Sequence, residues 1–212
     1  MPTPSSADSV AYYKAPPTPL SMSLPSTSVA SESRTHDTLS LAASSPTSSA
    51  SSPHSPSPTS SLDNYTILHH PTMITFHADK ISMPPIDTRK VELWIKSTAA
   101  QYGYSVGELN YIFCDDEKIL AVNREFLQHD YYTDVITFDY TTRTRVNGDI
   151  YISLDTVATN AEQVGAPFLH ELHRIIIHGL LHLTGQADKT PETKAQMTAK
   201  EEDALAKISI LL

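Results

Sequence analysis

The chain has 212 residues, with 15 Lys and Arg against 24 Asp and Glu and a formal net charge of −9. That balance argues against holding nucleic acid by bulk electrostatics, so an RNA-directed role needs a local basic cleft or a larger assembly. The single cysteine excludes an intrachain disulfide and suits a reducing cytoplasm. No run approaches the roughly 18 apolar residues that span a bilayer.

From Met1 to about Ser61 the chain is dominated by Ser, Thr and Pro, and no helical or strand period persists. Such a stretch buries too little apolar surface to offset its ordering entropy. It also lacks the basic start and apolar run of a secretory signal. Residues 1–72 are therefore read as a disordered extension, and residues 73–212 as one domain of ordinary size.

Met73–Ala78 reads as a strand, and Pro84-Pro85 as a turn. Asp87 caps a helix over roughly 88–101, whose apolar side carries Val91, Leu93, Trp94 and Ile95. Leu109–Cys114 is a second strand, with Cys114 a small buried hydrophobe. Asp115 opens a helix carrying Ile119, Leu120, Val122 and Phe126. A polar connection over 123–134 leads to a third strand, Val135–Phe138. Arg143, Arg145 and Asn147-Gly148 form a turn, and Asp149–Ser153 returns antiparallel to the third strand. Asp155 caps a helix to about Val164. Pro167 starts a longer helix to about Thr184, and Thr190-Pro191 opens the last one, through about Ile208. Strands early and helices late give an α+β class with a small mixed β-sheet packed against helices.

The chemistry concentrates in the run from His178 to Asp188. His178 and His182, four apart, share one helical face among Ile175, Ile176, Ile177, Leu180 and Leu181. A histidine buried there costs free energy unless it is hydrogen-bonded or metal-bound. Gly185 permits a left-handed stop, and the chain turns back to Asp188. Two His and one carboxylate make a catalytic zinc set with a position left for water. Asp188 taken alone equally suits a cap for the following helix. Glu171 and Arg174 lie seven and four residues before His178 on the same face, as metal-supporting or substrate groups or as an ion pair with neighbouring helices. His170 and His173 are expected to face solvent. A His-Glu-x-x-His peptidase carries its general base directly after the first His, and here that position is Gly179. Phosphodiester cleavage asks less of a protein base, since the metal supplies the nucleophile or the RNA 2′-OH attacks.

The run His178-Gly179-Leu180-Leu181-His182-Leu183-Thr184-Gly185 resembles the His-Gly-x-Leu-His-Leu-x-Gly helix of the YbeY endoribonucleases. Asp130-Tyr131-Tyr132-Thr133-Asp134-Val135-Ile136-Thr137-Phe138 is similar to that family's Asp-x-x-Thr-Asn/Asp-Val-Leu-Ser-Phe strand. Gly148-Asp149-Ile150 is similar to its Gly-Asp-Ile strand. The three blocks keep the family's order within residues 73–212. The resemblance implies a zincin-like, metal-dependent hydrolase with one zinc per chain. It implies single-strand-specific endonuclease cleavage of ribosomal RNA precursors, notably at the small-subunit 3′ end, and a part in ribosome quality control. The implied partners are ribosomal RNA and the ribosome or its proteins, in the cytoplasm, with no DNA and no membrane. The metal falls to His178, His182 and Asp188, and catalysis to His178 and His182 through the metal's water.

Two positions depart from the family pattern. The usual third ligand is His where this chain has Asp188, which lowers the site's net charge by one. An Arg usual in the family is Leu127 here, with Arg124, Arg143 and Arg145 as candidate substitutes. Family members begin at the first strand, so Met73 is a candidate initiator and residues 1–72 are expected to be dispensable. Two rival readings stay open: a non-catalytic ribosome-assembly factor with a structural metal, and a metallohydrolase of a small molecule or peptide.

Overall fold

A computed structural model describes residues 10–14 and 72–211, all of which fall in one compact unit. The expectations for the rest of 1–72 lie outside the described residues.

Among the described residues, five strands form one mixed sheet: β1 (Val10–Lys14), β2 (Met73–Ala78), β3 (Ser105–Cys114), β4 (Val135–Asp139) and β5 (Arg145–Ser153). Their order across the sheet is β1-β4-β5-β3-β2. β4 and β5 pair antiparallel, as their short connection requires, and the other neighbours pair parallel. Five α-helices of the described residues accompany them: α1 (Thr88–Gln101), α2 (Asp116–Val122), α3 (Leu154–Val164), α4 (Phe168–Leu183) and α5 (Pro191–Leu211). The α+β class with a small mixed sheet is thus realised.

Alternation along the strands sorts side chains onto two faces. Tyr111, Phe113, Val135, Ile150 and Ile152 pack with α1, α4 and α5 in the main core. Ile136, Phe138 and Cys114 face the other way, against Ile119 and Val122 of α2. Each fully buried Ile or Leu is worth about 1.5–3 kcal/mol. Burial pushes the Cys114 thiol up to about 12, so it sits as an inert hydrophobe. Two polar bonds tie the layers together. Tyr111 Oη donates to the Ile176 carbonyl at 3.3 Å. Trp94 Nε1 donates to the Ala204 carbonyl at 2.8 Å, joining α1 to α5.

The caps follow the sequence at Asp87, which accepts from Lys90 N–H at 3.1 Å, and at Asp115, which accepts from Lys118 N–H at 2.8 Å. They differ at α3, where Ser153 is the cap and accepts from Thr156 N–H. Asp155 lies in the first turn and accepts from Asp116 N–H at 3.1 Å. The polar connection begins with a π-helical turn at Asn123–Leu127, which Gln128 leaves in the left-handed region at φ 57°.

Two strands run longer than expected. β3 starts at Ser105 and β5 at Arg145, so Arg145 and Asn147-Gly148 are ladder residues. A register shift between Val106 and Leu109 absorbs Gly107. β1 is a further difference: no strand was expected in residues 1–72, yet Val10–Lys14 pairs along all of β4. Tyr13 meets Phe138 edge-on at 5.8 Å between ring centroids.

Candidate metal centre

α4 carries His178 and His182 on its inner side, each 6% exposed. It ends at Thr184, and Gly185 takes φ 84°, a left-handed step that glycine makes without strain. Gly185 N–H then donates to the His182 carbonyl at 2.9 Å, and Gln186 N–H to the Leu181 carbonyl at 3.0 Å. This reversal carries Asp188 back to the helix end, as the Gly185 signal indicated.

The reversal also brings the Gln186 carbonyl to His182 Nδ1 at 3.0 Å. A carbonyl only accepts, so His182 holds its proton on Nδ1 and its Nε2 is a lone pair. His178 Nδ1 donates likewise to the carboxylate of Glu201, from α5. The two Nε2 atoms lie 3.0 Å apart. Asp188 Oδ2 lies 3.6 Å from His178 Nε2 and 3.5 Å from His182 Nε2. Three electron-pair donors thus converge on one point within 4.8 Å of one another. Such a set repels itself unless a cation sits among the donors. Zinc bonds of about 2.0–2.1 Å in a tetrahedron separate ligand atoms by roughly 3.3 Å, close to the spacing present. Burial pushes the His182 imidazole down to about 4, with His178 adding to the shift and Asp188 opposing it. The ring is therefore neutral and ready to ligate at neutral pH.

Beneath the histidines lies a charged chain. Arg174 Nε donates to Glu171 Oε2 at 2.9 Å, and Arg174 Nη1 reaches Glu201 Oε2 at 3.4 Å. Arg174 makes the expected ion pair with a neighbouring helix, through Glu201 of α5, whereas Glu171 pairs within α4, with Arg174 itself. Burial acts to raise the Glu201 carboxyl, but the His178 bond and Arg174 outweigh it and hold the group below its usual value. Asp134 at the start of β4 feels His178 and Arg174 as well, although burial drives its carboxyl up.

Sequence reasoning did not single out Glu201, although a signal existed. Met197, Ala204, Leu205 and Ile208 form the buried stripe of α5, and Glu201 lies on that stripe at 4% exposure. A carboxylate at a core position asks for a partner, and the partner is a metal-ligand candidate. His173 corrects an expectation: it is buried, because it turns toward Trp94 of α1 with ring centroids 5.9 Å apart. His170 is exposed as expected. Of the candidate arginines, Arg124 pairs with Asp130 and Arg143 sits in a turn at φ 51°. The Arg145 side chain lies over Gly107. Leu127 packs on the apolar cluster under α2.

A profile of the family described as Endoribonuclease YbeY matches residues 74–209. The Endoribonuclease YbeY of Phocaeicola vulgatus is 55% identical over 138 residues, 65% of this chain and 100% of that relative. The Bacteroides thetaiotaomicron protein of the same name is 56% identical over 133 residues, 63% of this chain and 97% of that relative. That of Parabacteroides distasonis is 53% identical over 133 residues, 63% of this chain and 94% of that relative.

Proposed function

The chain belongs to the YbeY family of endoribonucleases, and we propose that its cleavage of RNA in ribosomal RNA processing depends on one zinc ion held by His178, His182 and Asp188. The observation that carries this reading is the convergence of two Nε2 lone pairs and one carboxylate, with each Nδ1 proton already committed elsewhere. Zinc in such a site supplies a Lewis acid for a phosphoryl oxygen and an acidified water. The chain's own residues orient it: Gln186 and Glu201 fix the two rings, and Asp188 brings the third ligand and a negative charge. That charge makes the centre a milder Lewis acid than three neutral ligands would.

Three protein ligands favour catalysis over a structural staple, because a structural site closes its fourth position with protein. Glu201, a further carboxylate beside the site, is committed to His178 and Arg174. We place the reaction on single-stranded precursor at the small-subunit 3′ end, on the ribosome, in the cytoplasm. No helix among the described residues is long and apolar enough to cross a membrane. The acidic surface supports a ribosomal setting, where partners supply the attraction to RNA that the net charge of −9 does not.

The test is cleavage of a single-stranded small-subunit 3′ precursor by the full chain, with zinc, with chelator, and with zinc restored. Chelation should abolish cleavage and zinc should restore it. His182→Ala and Asp188→Ala should each lose at least about 100-fold while staying folded, more than an outer-shell change costs. A folded, zinc-loaded chain that cleaves neither this RNA nor the ribosomal particle would favour the assembly-factor reading. Unimpaired Asp188→Ala would remove Asp188 from the ligand set.

A further inference from the structure

The two histidines of the centre are oriented by chemically different groups. His182 donates to a neutral backbone carbonyl from its own loop. His178 donates to Glu201, a carboxylate on a separate helix. Glu201 is 5% exposed at its side chain and His178 is 7% exposed, so the pair lies out of water. Glu201 is itself pinned by Arg174, whose other hydrogen bonds go to Glu171. One guanidinium thus lies between two carboxylates, and the trio carries one net negative charge ending against His178.

We propose that Glu201 is the positioning residue of the metal centre. It locks His178 in the Nδ1–H tautomer, aims Nε2 at the metal, and passes the spare negative charge of the Glu171–Arg174–Glu201 chain to that ligand. This inference rests on the ligand set proposed above. A carboxylate behind a ligating histidine raises its basicity, and losing such a partner typically costs 10–100-fold in metal affinity. The trio's single negative charge and that of Asp188 both face the metal position, with Asp134 a further buried carboxyl that feels His178. A centre with a carboxylate ligand and a carboxylate-backed histidine therefore holds its ion by charge as well as by geometry. The role needs both helices, since α4 supplies the ligand and α5 the group that orients it.

The test measures zinc affinity of the full chain by competition with a chromophoric chelator. Alongside it, two-bond ¹H–¹⁵N spectra of the metal-free protein read the His178 tautomer. Glu201→Ala should weaken zinc binding 10–100-fold and release His178 into a tautomer mixture. Glu201→Gln keeps an acceptor oxygen but no charge. It should retain the Nδ1–H tautomer and bind zinc between the wild type and Glu201→Ala. A purely structural ion pair would lower the melting temperature and leave the tautomer unmoved. Should Glu201→Ala fail to fold, Glu201→Gln decides alone. Zinc affinity within twofold of the wild type in the folded variants overturns the proposal. His182→Ala and Asp188→Ala run in the same assay separate the two failures. If they keep zinc, the ligand set itself is wrong; if they lose it while both Glu201 variants bind normally, only the role of Glu201 falls.

Discussion

Gly179 stands where a His-Glu-x-x-His helix keeps its general base, and the fold leaves no room there for a side chain. A Cβ at Gly179 would come within 2.9 Å of Ile150 Cγ2 on β5 and 3.4 Å of Thr137 Oγ1 on β4. The sequence showed the base to be missing; the packing adds that α4 must approach the sheet closely to set its histidines. Gly179→Ala should therefore cost about 1–3 kcal/mol by overpacking, despite alanine's better helix propensity. Urea unfolding would check this, and a stabilised variant would mean that α4 shifts freely. The residue scale was also the most legible one. His178, His182 and Asp188 were evident because spacing along one helix and a glycine stop encode their meeting. Glu201 was not, because its partner lies 23 positions away and only the crossing of two helices brings them together.

At the scale of elements, the contact of α4 with α1 carries a titratable defect. His173 is buried, and among the described residues its Nε2 has no hydrogen-bond partner. Burial, with the charge of His170 adding to it, holds its imidazole below the ordinary value. The unfolded chain then binds the extra proton more readily than the folded one. This contribution to stability is complete above pH of about 6.5 and is lost as pH falls from there toward the depressed folded value. His173→Phe keeps the edge-on contact to Trp94 and has no proton to take up. Metal-free wild type should therefore melt further below the variant at pH 5 than at pH 7.5, by thermal scans in matched buffers. A gap that stays constant with pH would show that His173 is protonated equally in both states.

Elements also differ in how far they could be read. Those with their own period and caps match best: α1 lies over the expected residues, and α2 starts at its cap but ends at Val122, leaving Phe126 to the π-helical turn. The beginnings of β3 and β5 were missed because Gly107 and Asn147-Gly148 look like turns. In the sheet they serve a close approach instead: a Cβ on Gly107 would meet the Asn147 and Arg145 side chains, and one on Gly148 the Phe138 carbonyl. β1 was missed for another reason. A five-residue edge strand set among Ser, Thr and Pro takes its order from its partner's exposed ladder, and no local pattern announces that.

For the whole molecule, β1 poses the question of what the first 72 residues contribute. The Phocaeicola vulgatus relative is covered in full by a match to 138 residues of this chain. The main core, the centre and its Glu201 support all lie beyond residue 72. Against that, β1 covers the edge of β4 and adds the Tyr13–Phe138 contact, worth about 0.5–1.5 kcal/mol for an aromatic pair beyond its buried area. If the fold and the centre rest on residues 73–212, β1 is a modest stabiliser. The truncated protein should unfold cooperatively at a somewhat lower denaturant midpoint, with zinc affinity and RNA cleavage within twofold of the full chain. It should also associate more readily, because the β4 edge then exposes unpaired N–H and C=O groups. Light scattering and chelator competition on the two lengths would read both effects. Loss of zinc binding on truncation would make the extension part of the centre's scaffold.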